Sequence, residues 1–299
     1  MKLITAYTNP DLDGTACAIG YAEYSSKKEE NSLAAFFGIP SKEALWVLSY
    51  FGVNKVLNAE EFIKLEVEVV MVDASDRRGL SPLVISEQVV EIIDHRKVNE
   101  SHLFPNAKLQ IEFVGSAATL IAEKFFESQF ELSRESAGLL YSAIVSNTIN
   151  FKAEVTTDRD RKIAEWLLAK LDLPADFVHQ MFAAKSYTDE TLEERFASET
   201  ASFNLNGKEF GCIQLEILEV GKFVKENKEE TEQLLLKIKK ERKLDGIFLS
   251  CIDVEEGFNV FISLDEWVKE LLEEKLAIKF EENIAHRDGI IMRKEIMPL

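Results

Sequence analysis

Cysteine is scarce in this 299-residue chain. Cys17, Cys212 and Cys251 lie far apart and form no CxxC pair. An odd, dispersed set argues against a disulfide framework and fits a reducing compartment. Long apolar runs are also missing: none reaches the ~18 residues needed to span a bilayer. The opening "MKLITAYTNP" turns polar too soon for a signal peptide. Basic residues are in deficit, 35 Lys and Arg against 53 Asp and Glu, a net charge of -18. That balance argues against a general nucleic-acid binder, which needs clustered positive charge. It leaves room for a small anionic ligand, because a site can be locally positive or can hold metal ions. No internal repeat or low-complexity tract occurs. The expectation is a soluble cytoplasmic protein whose partner is neither a membrane nor a nucleic-acid polymer.

Hydrophobic residues make up 46% of the chain, enough for a substantial core. The length suggests two domains. Over the first half, β-rich runs alternate with helical patterns. "KLITAY" (2–7), "VEVVMVD" (67–73), "VVEIID" (89–94) and "LQIEFV" (109–114) read as strands. Residues 14–24, 42–52, 116–128, 135–151 and 157–171 read as helices, the last with Thr157 as its N-cap. This rhythm predicts a largely parallel sheet covered by helices. The second half changes character. Residues 181–200 read as a polar helical bridge and 224–242 as one charged amphipathic helix. "DGIFLSCIDV" and "GFNVFIS" read as paired strands, and "LDEWVKELLEEKLAI" as a helix with Ser263 and Glu266 as its capping box. The domain boundary is expected near residue 187.

Ligands of an open parallel sheet bind at the carboxyl ends of its strands. Three such ends here carry charge: Asp11 and Asp13 after the first, Asp73 after the next, and Asp94, His95 and Arg96 after the third. A lone "DLD" is an ordinary solvated turn, and a lone strand-end Asp is an ordinary helix cap. Three ends together are a constellation. Crowded carboxylates cannot all ionise without a counter-charge. A divalent cation supplies one, and Asp oxygens with a neutral imidazole suit Mn²⁺ or Mg²⁺. Asp94 is placed to orient the His95 ring from behind.

These residues resemble the motifs of the DHH phosphoesterase superfamily. "NPDLDG", "VMVDASD", "EIIDHRKV" and "LLYSAIVSNTINFK" are similar to its first four motifs. The terminal "GIIMRKEIMPL" resembles the basic tail of the second domain in family II inorganic pyrophosphatases and the exopolyphosphatase and prune branch. The glycine-rich GGGH-like motif of the RNA-degrading branch is absent. The resemblance implies an α/β fold: a parallel-sheet domain with helices on both faces (1–187), a helical linker, and a smaller α/β lid domain (188–299). It implies an active site in the cleft between them, and hydrolysis of pyrophosphate or short polyphosphate by metal-activated water. It also makes a homodimer plausible through an edge strand of the first domain. Carried over by position, Asp11, Asp13, Asp73, His95 and the fourth-motif Asn147 are implied metal residues, Asp73 and Arg96 catalytic ones, and Arg96, Arg293 and Lys294 holders of phosphate.

Departures from the family pattern bear on the chemistry. Tyr7 stands where pyrophosphatases carry a His, Arg96 where the second His of the motif falls, and Asn147 where an Asp is usual. A phenol neutral at pH 7 is a poor metal ligand. Arg96 cannot shuttle a proton but can hold phosphate oxygens bidentately. Asn147 keeps a carbonyl and removes a charge. Two readings stand on the sequence: a Mn²⁺- or Mg²⁺-dependent phosphoanhydride hydrolase, and a catalytically impaired module that binds phosphate or a nucleotide and acts through domain closure or protein partners.

Overall fold

The structure, a computed structural model, describes residues 1–96 and 99–296, apart from the side chain of Lys294. The chain forms two compact units. The first comprises residues 1–151 and 155–184, the second 152–154 and 185–299.

Unit 1 is built on five strands: β1 (Lys2–Thr5), β2 (Ser32–Ala34), β3 (Glu68–Val72), β4 (Val89–Asp94) and β5 (Lys108–Ile111). They lie in the order β2-β1-β3-β4-β5, and every pairing is parallel. The central strands β1, β3 and β4 bury apolar residues on both faces, as a sheet covered twice requires. Leu3, Val69, Met71 and Ile92 join one buried cluster. The alternate residues Ile4, Val70, Val72 and Ile93 are also fully buried, and the two-residue period turns them to the opposite side. Helices α1 (Leu12–Lys27) and α3 (Ala117–Ser128) pack on the sheet. Helices α2 (Lys42–Tyr50), α4 (Arg134–Asn147) and α5 (Asp158–Leu168) pack on those helices in turn. The cluster on the other face is completed by Ala59 and Phe104, which lie in or beside short 3-10 turns at 59–61 and 101–103. Because all strands run one way, their carboxyl ends share one edge. The chain reverses its winding between β1 and β3, which places the segments after these two strands at the switch point of the sheet.

The remaining helix of the first half, α6 (Phe177–Ser186), contains the division between the units. Unit 2 carries α7 (Leu192–Glu199), β6 (Thr200–Leu205), β7 (Lys208–Ile217), α8 (Val220–Glu226), α9 (Lys228–Glu241), β8 (Gly246–Asp253), β9 (Phe258–Ile262), α10 (Glu266–Leu276), β10 (Phe280–Glu281), β11 (Ile284–Asp288) and α11 (Arg293–Ile296). Its sheet runs β10-β11-β9-β8-β7-β6, with β7 and β8 parallel and the other pairs antiparallel. Along β7, Ile213, Leu215 and Ile217 face the cluster under α9, whereas Phe210 and Cys212 face the cluster under α10.

Several expectations are corrected in this half. The polar bridge is two helices, α6 and α7, with Thr191 capping the second through a reciprocal bond with Glu194. The charged helix is broken at Asn227, which ends α8 and starts α9. Its side-chain amide donates back to the Phe223 carbonyl (2.9 Å), a local bond that competes with helix propagation. Ser263 and Glu266 form no capping box: the Ser263 hydroxyl donates to the Ile247 carbonyl (2.8 Å), and Glu266 pairs with Lys269. The helix begins at Asp265, whose carboxylate accepts from the Ile247 N–H (2.9 Å) instead of capping. The basic tail around Arg293 forms a helical turn.

Candidate metal centre

The edge formed by the strand ends of unit 1 gathers Asp13, Asp73 and His95. One ligand atom from each lies within 4.8 Å of the others, and all three residues are buried. Each is positioned by a different device.

Asp13 lies in the first turn of α1. Asp11, one residue before that helix, is its N-cap and accepts from the Gly14 N–H (2.9 Å). The Asp13 carboxylate also sits at the N-terminus of α3, accepting from the Ala117 and Ala118 N–H groups and the Ser116 hydroxyl (2.9 Å each). Unpaired amides and the helix dipoles make this a natural place for an anion. The α3 turn is itself held from behind. Asp160 accepts from the Gly115 N–H (2.8 Å) and from the Thr119 hydroxyl (2.6 Å), while capping α5 through Thr157. A side chain at residue 115 would bring its Cβ within 2.5 Å of Thr148 and 2.9 Å of Asp160, so only glycine fits. Sequence reasoning saw α5 capped at Thr157. It missed that Asp160 also fixes the donors of Asp13, since nothing local signals a contact 45 residues away.

Asp73 follows β3 with φ of 51°, a left-handed conformation that Asp tolerates better than bulkier residues. Its N–H donates to the Ile93 carbonyl (2.8 Å), which pins this turn to β4. Its Oδ1 lies 3.4 Å from His95 Nε2. His95 Nδ1 lies 2.9 Å from the Val114 carbonyl, beyond β5. A carbonyl can only accept, so Nδ1 carries the proton and Nε2 presents its lone pair to Asp73 and Asp13. That is the ligating tautomer.

The role expected for Asp94 is thereby corrected. The ring is oriented by the Val114 carbonyl, and Asp94 instead accepts from the backbone N–H of His95 (2.7 Å) and from the Ser75 hydroxyl. It fixes the β3 and β4 turns to each other rather than the imidazole. Asn147, at the end of α4, brings its side-chain amide to 2.5 Å from Asp13 Oδ2, so in this arrangement it contacts a ligand as a donor.

Arg96 and Tyr7 make the neighbouring wall. The guanidinium stacks over the Tyr7 ring at 4.6 Å. Nη2 lies 3.7 Å from Asp73 and Nη1 3.8 Å from Asp94. The Tyr7 hydroxyl accepts from the Ser75 N–H (3.3 Å). Tyr7, Asp11, Asp73 and Arg96 line a depression of ≈ 210 Å³, the volume of a small anion and its water. Asp11 is therefore beside the three-residue group rather than within it.

The electrostatics follow. Burial, and then Asp73, push the Asp13 carboxyl well above its usual range. Burial raises Asp94 as well, against the pull of Arg96. Burial also raises the Tyr7 phenol, so it stays protonated. Burial alone would weaken the charge on Arg96, but Asp73 and Asp94 more than restore it. Among the described residues, the acids Asp11, Asp13, Asp73 and Asp94 outnumber the Arg96 guanidinium, which leaves this edge short of positive charge. Two carboxylates and an inward imidazole lone pair fit one divalent cation of the Mn²⁺ type.

In unit 2, Arg293 opens α11. Its N–H donates to the Gln214 side chain (2.5 Å), and its Nη1 to the Glu199 carbonyl (2.7 Å). Asn259 anchors the chain two residues earlier by exchanging two bonds with Ile291 (2.9 Å each). The side chain of Lys294 lies outside the described residues.

No family model matches the chain. Curated relatives do. A protein of Clostridium acetobutylicum named "Probable manganese-dependent inorganic pyrophosphatase" is 29% identical over 296 residues, covering 98% of this chain and 94% of its own. The manganese-dependent inorganic pyrophosphatase of Bacillus subtilis is 26% identical over 300 residues, covering 99% and 96%. A crystal structure from Methanococcus jannaschii, provisionally assigned to the family II inorganic pyrophosphatases, superposes with a TM-score of 0.77 at 28% identity and covers 100% of this chain and 97% of that one. The chain is a homologue of the family II pyrophosphatases. An exopolyphosphatase-related protein of Bacteroides fragilis shares the fold at a TM-score of 0.53 and 16% identity. The likeness to the pyrophosphatases covers residues of both units, which is consistent with the resemblance read from the motifs.

Proposed function

We infer that this chain hydrolyses the phosphoanhydride bond of inorganic pyrophosphate with a divalent cation, Mn²⁺ by likeness to its relatives. The observation that carries this reading is the tautomer of His95: its Nδ1 is committed to a carbonyl, which leaves Nε2 as a ligand facing two buried carboxylates. A cation held by Asp13, Asp73 and His95 supplies polarisation of phosphoryl oxygens and a lowered pKa for bound water.

The chain's own residues then have separate tasks. Asp73 supports the centre from a turn pinned to β4 by its N–H bond to the Ile93 carbonyl. Asn147 orients Asp13 by donating to it, and is assigned to the metal site in that capacity. Arg96 presents guanidinium donors to phosphate oxygens at the depression and offsets charge that develops on them. Asp11 closes the same depression. Arg293 and Lys294 are assigned to substrate phosphate in unit 2, where Asn259 and Gln214 preorganise the turn that carries Arg293. Residues 1–187 are assigned to the metal-binding domain and 188–299 to the substrate-binding domain. A cytoplasmic setting fits three unpaired, buried thiols. A homodimer is assigned to β5, which ends the unit 1 sheet and exposes Leu109.

The test is phosphate release from pyrophosphate after chelation and return of Mn²⁺, with Asp73→Asn alongside. Metal-dependent release is expected from the wild type and none from the variant. Release at the wild-type rate from folded Asp73→Asn would overturn the assignment.

A further inference from the structure

We propose that Arg96 is a built-in cation that stands in for a second metal ion, so that this centre takes a single divalent ion, at Asp13, Asp73 and His95. The proposal rests on the metal-site reading above and concerns how many ions the site accepts.

Asp73 Oδ1 stands between two sets of neighbours that differ in what they offer. One side meets Asp13 and the lone pair of His95, a set of oxygen and nitrogen donors converging on one point. The other meets no imidazole. There the depression is lined by Tyr7, Asp11, Asp73 and Arg96. A protonated phenol is a poor ligand, and burial holds Tyr7 in that form. The carboxylates on this side already face a positive charge. The guanidinium reaches Asp73 at 3.7 Å and Asp94 at 3.8 Å from its two terminal nitrogens. It has a built seat: its Cζ lies over the Tyr7 ring, 4.6 Å from the centroid, and the ring is held by the Ser75 N–H through its hydroxyl. A cation over a ring face is an attractive contact, and the weakly hydrated guanidinium suits it well. A dication beside Asp73 on this side would meet the guanidinium at close range in a partly desolvated site, where repulsion between like charges is strong.

The measurement is a count. Metal-stripped chain is dialysed against Mn²⁺, bound metal is quantified per chain, and the bound ions are examined by electron paramagnetic resonance. Wild type and Arg96→Lys are expected to bind one Mn²⁺ per chain with the spectrum of an isolated ion. The double variant Tyr7→His, Arg96→Ala removes the resident charge and supplies a ligand in the place of the ring; it is expected to bind two, with the exchange coupling of a metal pair. Two ions in the wild type, or a coupled pair there, would overturn the proposal whatever the variants do. One ion in the folded double variant would also overturn it, since the guanidinium would then not be what excludes the second. Phosphate release is followed on the same samples. A wild type that binds one ion but releases no phosphate counts against the hydrolase reading and leaves this count standing. Two ions with active hydrolysis do the reverse.

Discussion

Asp13 concentrates the physics of the centre in one side chain. It is almost wholly buried, faces Asp73, and is met by two helix amides, the Ser116 hydroxyl, the Cys17 thiol, Asn147 and His95. Without metal its carboxyl is pushed from the ordinary 3.8 up to about 7, first by burial and then by Asp73. The folded chain therefore holds a proton that the unfolded chain releases over this window. The folded state binds more protons there, so stability falls as pH rises. In urea titrations with chelator present, the wild-type midpoint is expected to drop between pH 4 and 7 relative to Asp13→Asn, which cannot titrate. Stabilisation by added Mn²⁺ should grow over the same window, because the ion needs the carboxylate that the proton occupies. Parallel wild-type and variant curves would show that Asp13 does not titrate there. These same residues show how far a motif reaches. Asp13, Asp73 and His95 were legible because acids at three strand ends of a parallel sheet must converge. The Val114 carbonyl that sets the His95 tautomer was not legible, since any residue type would offer that atom.

The elements that were easiest to read are those whose composition admits one solution. Strands such as Glu68–Val72 and Val89–Asp94 are β-branched and apolar on both faces, which only a covered parallel sheet accommodates. Strands β10 and β11 escaped reading because "FE" and "IAHRD" are short, polar and at the edge of their sheet. The break at Asn227 escaped because amphipathic spacing continues across it, and only the side-chain bond to Phe223 interrupts the helix. The turn into α3 is an element-scale device that the pattern concealed. Gly115 sits between Thr148 and Asp160, and this close approach aims the α3 amides at Asp13. Gly115→Ala is expected to cost about 1–3 kcal/mol, the usual penalty for overpacking. Because the turn carries donors to Asp13, it should also weaken Mn²⁺ binding. Urea unfolding and a Mn²⁺ titration on the same preparation check both effects. A loss of stability with unchanged Mn²⁺ affinity would uncouple the turn from the centre.

At the scale of the whole chain, a net charge of -18 is combined with a proposed anionic substrate, so the positive groups that remain must be placed with care. Arg96 serves in unit 1 and Arg293 in unit 2, and the two are held by different means. Arg96 is fixed by the Tyr7 ring face and by acids; the backbone of Arg293 is fixed through Gln214 and the Asn259 anchor, and its Nη1 donates to the Glu199 carbonyl. A backbone-held arginine keeps its place when its charge is removed, which makes it a clean probe of division of labour between the units. Arg293→Gln is expected to leave the Mn²⁺ count and affinity unchanged, because every ligand assigned to the ion lies in unit 1. It should lower kcat/KM for pyrophosphate by roughly 10–100-fold, the loss of one charge-assisted contact worth about 1.5–3 kcal/mol. Steady-state phosphate release and Mn²⁺ titration of the same variant decide the matter. A drop in Mn²⁺ affinity would mean that Arg293 acts on the metal centre. An unchanged kcat/KM would remove it from substrate binding and leave Arg96 as the phosphate-facing cation among the described residues of the assigned site.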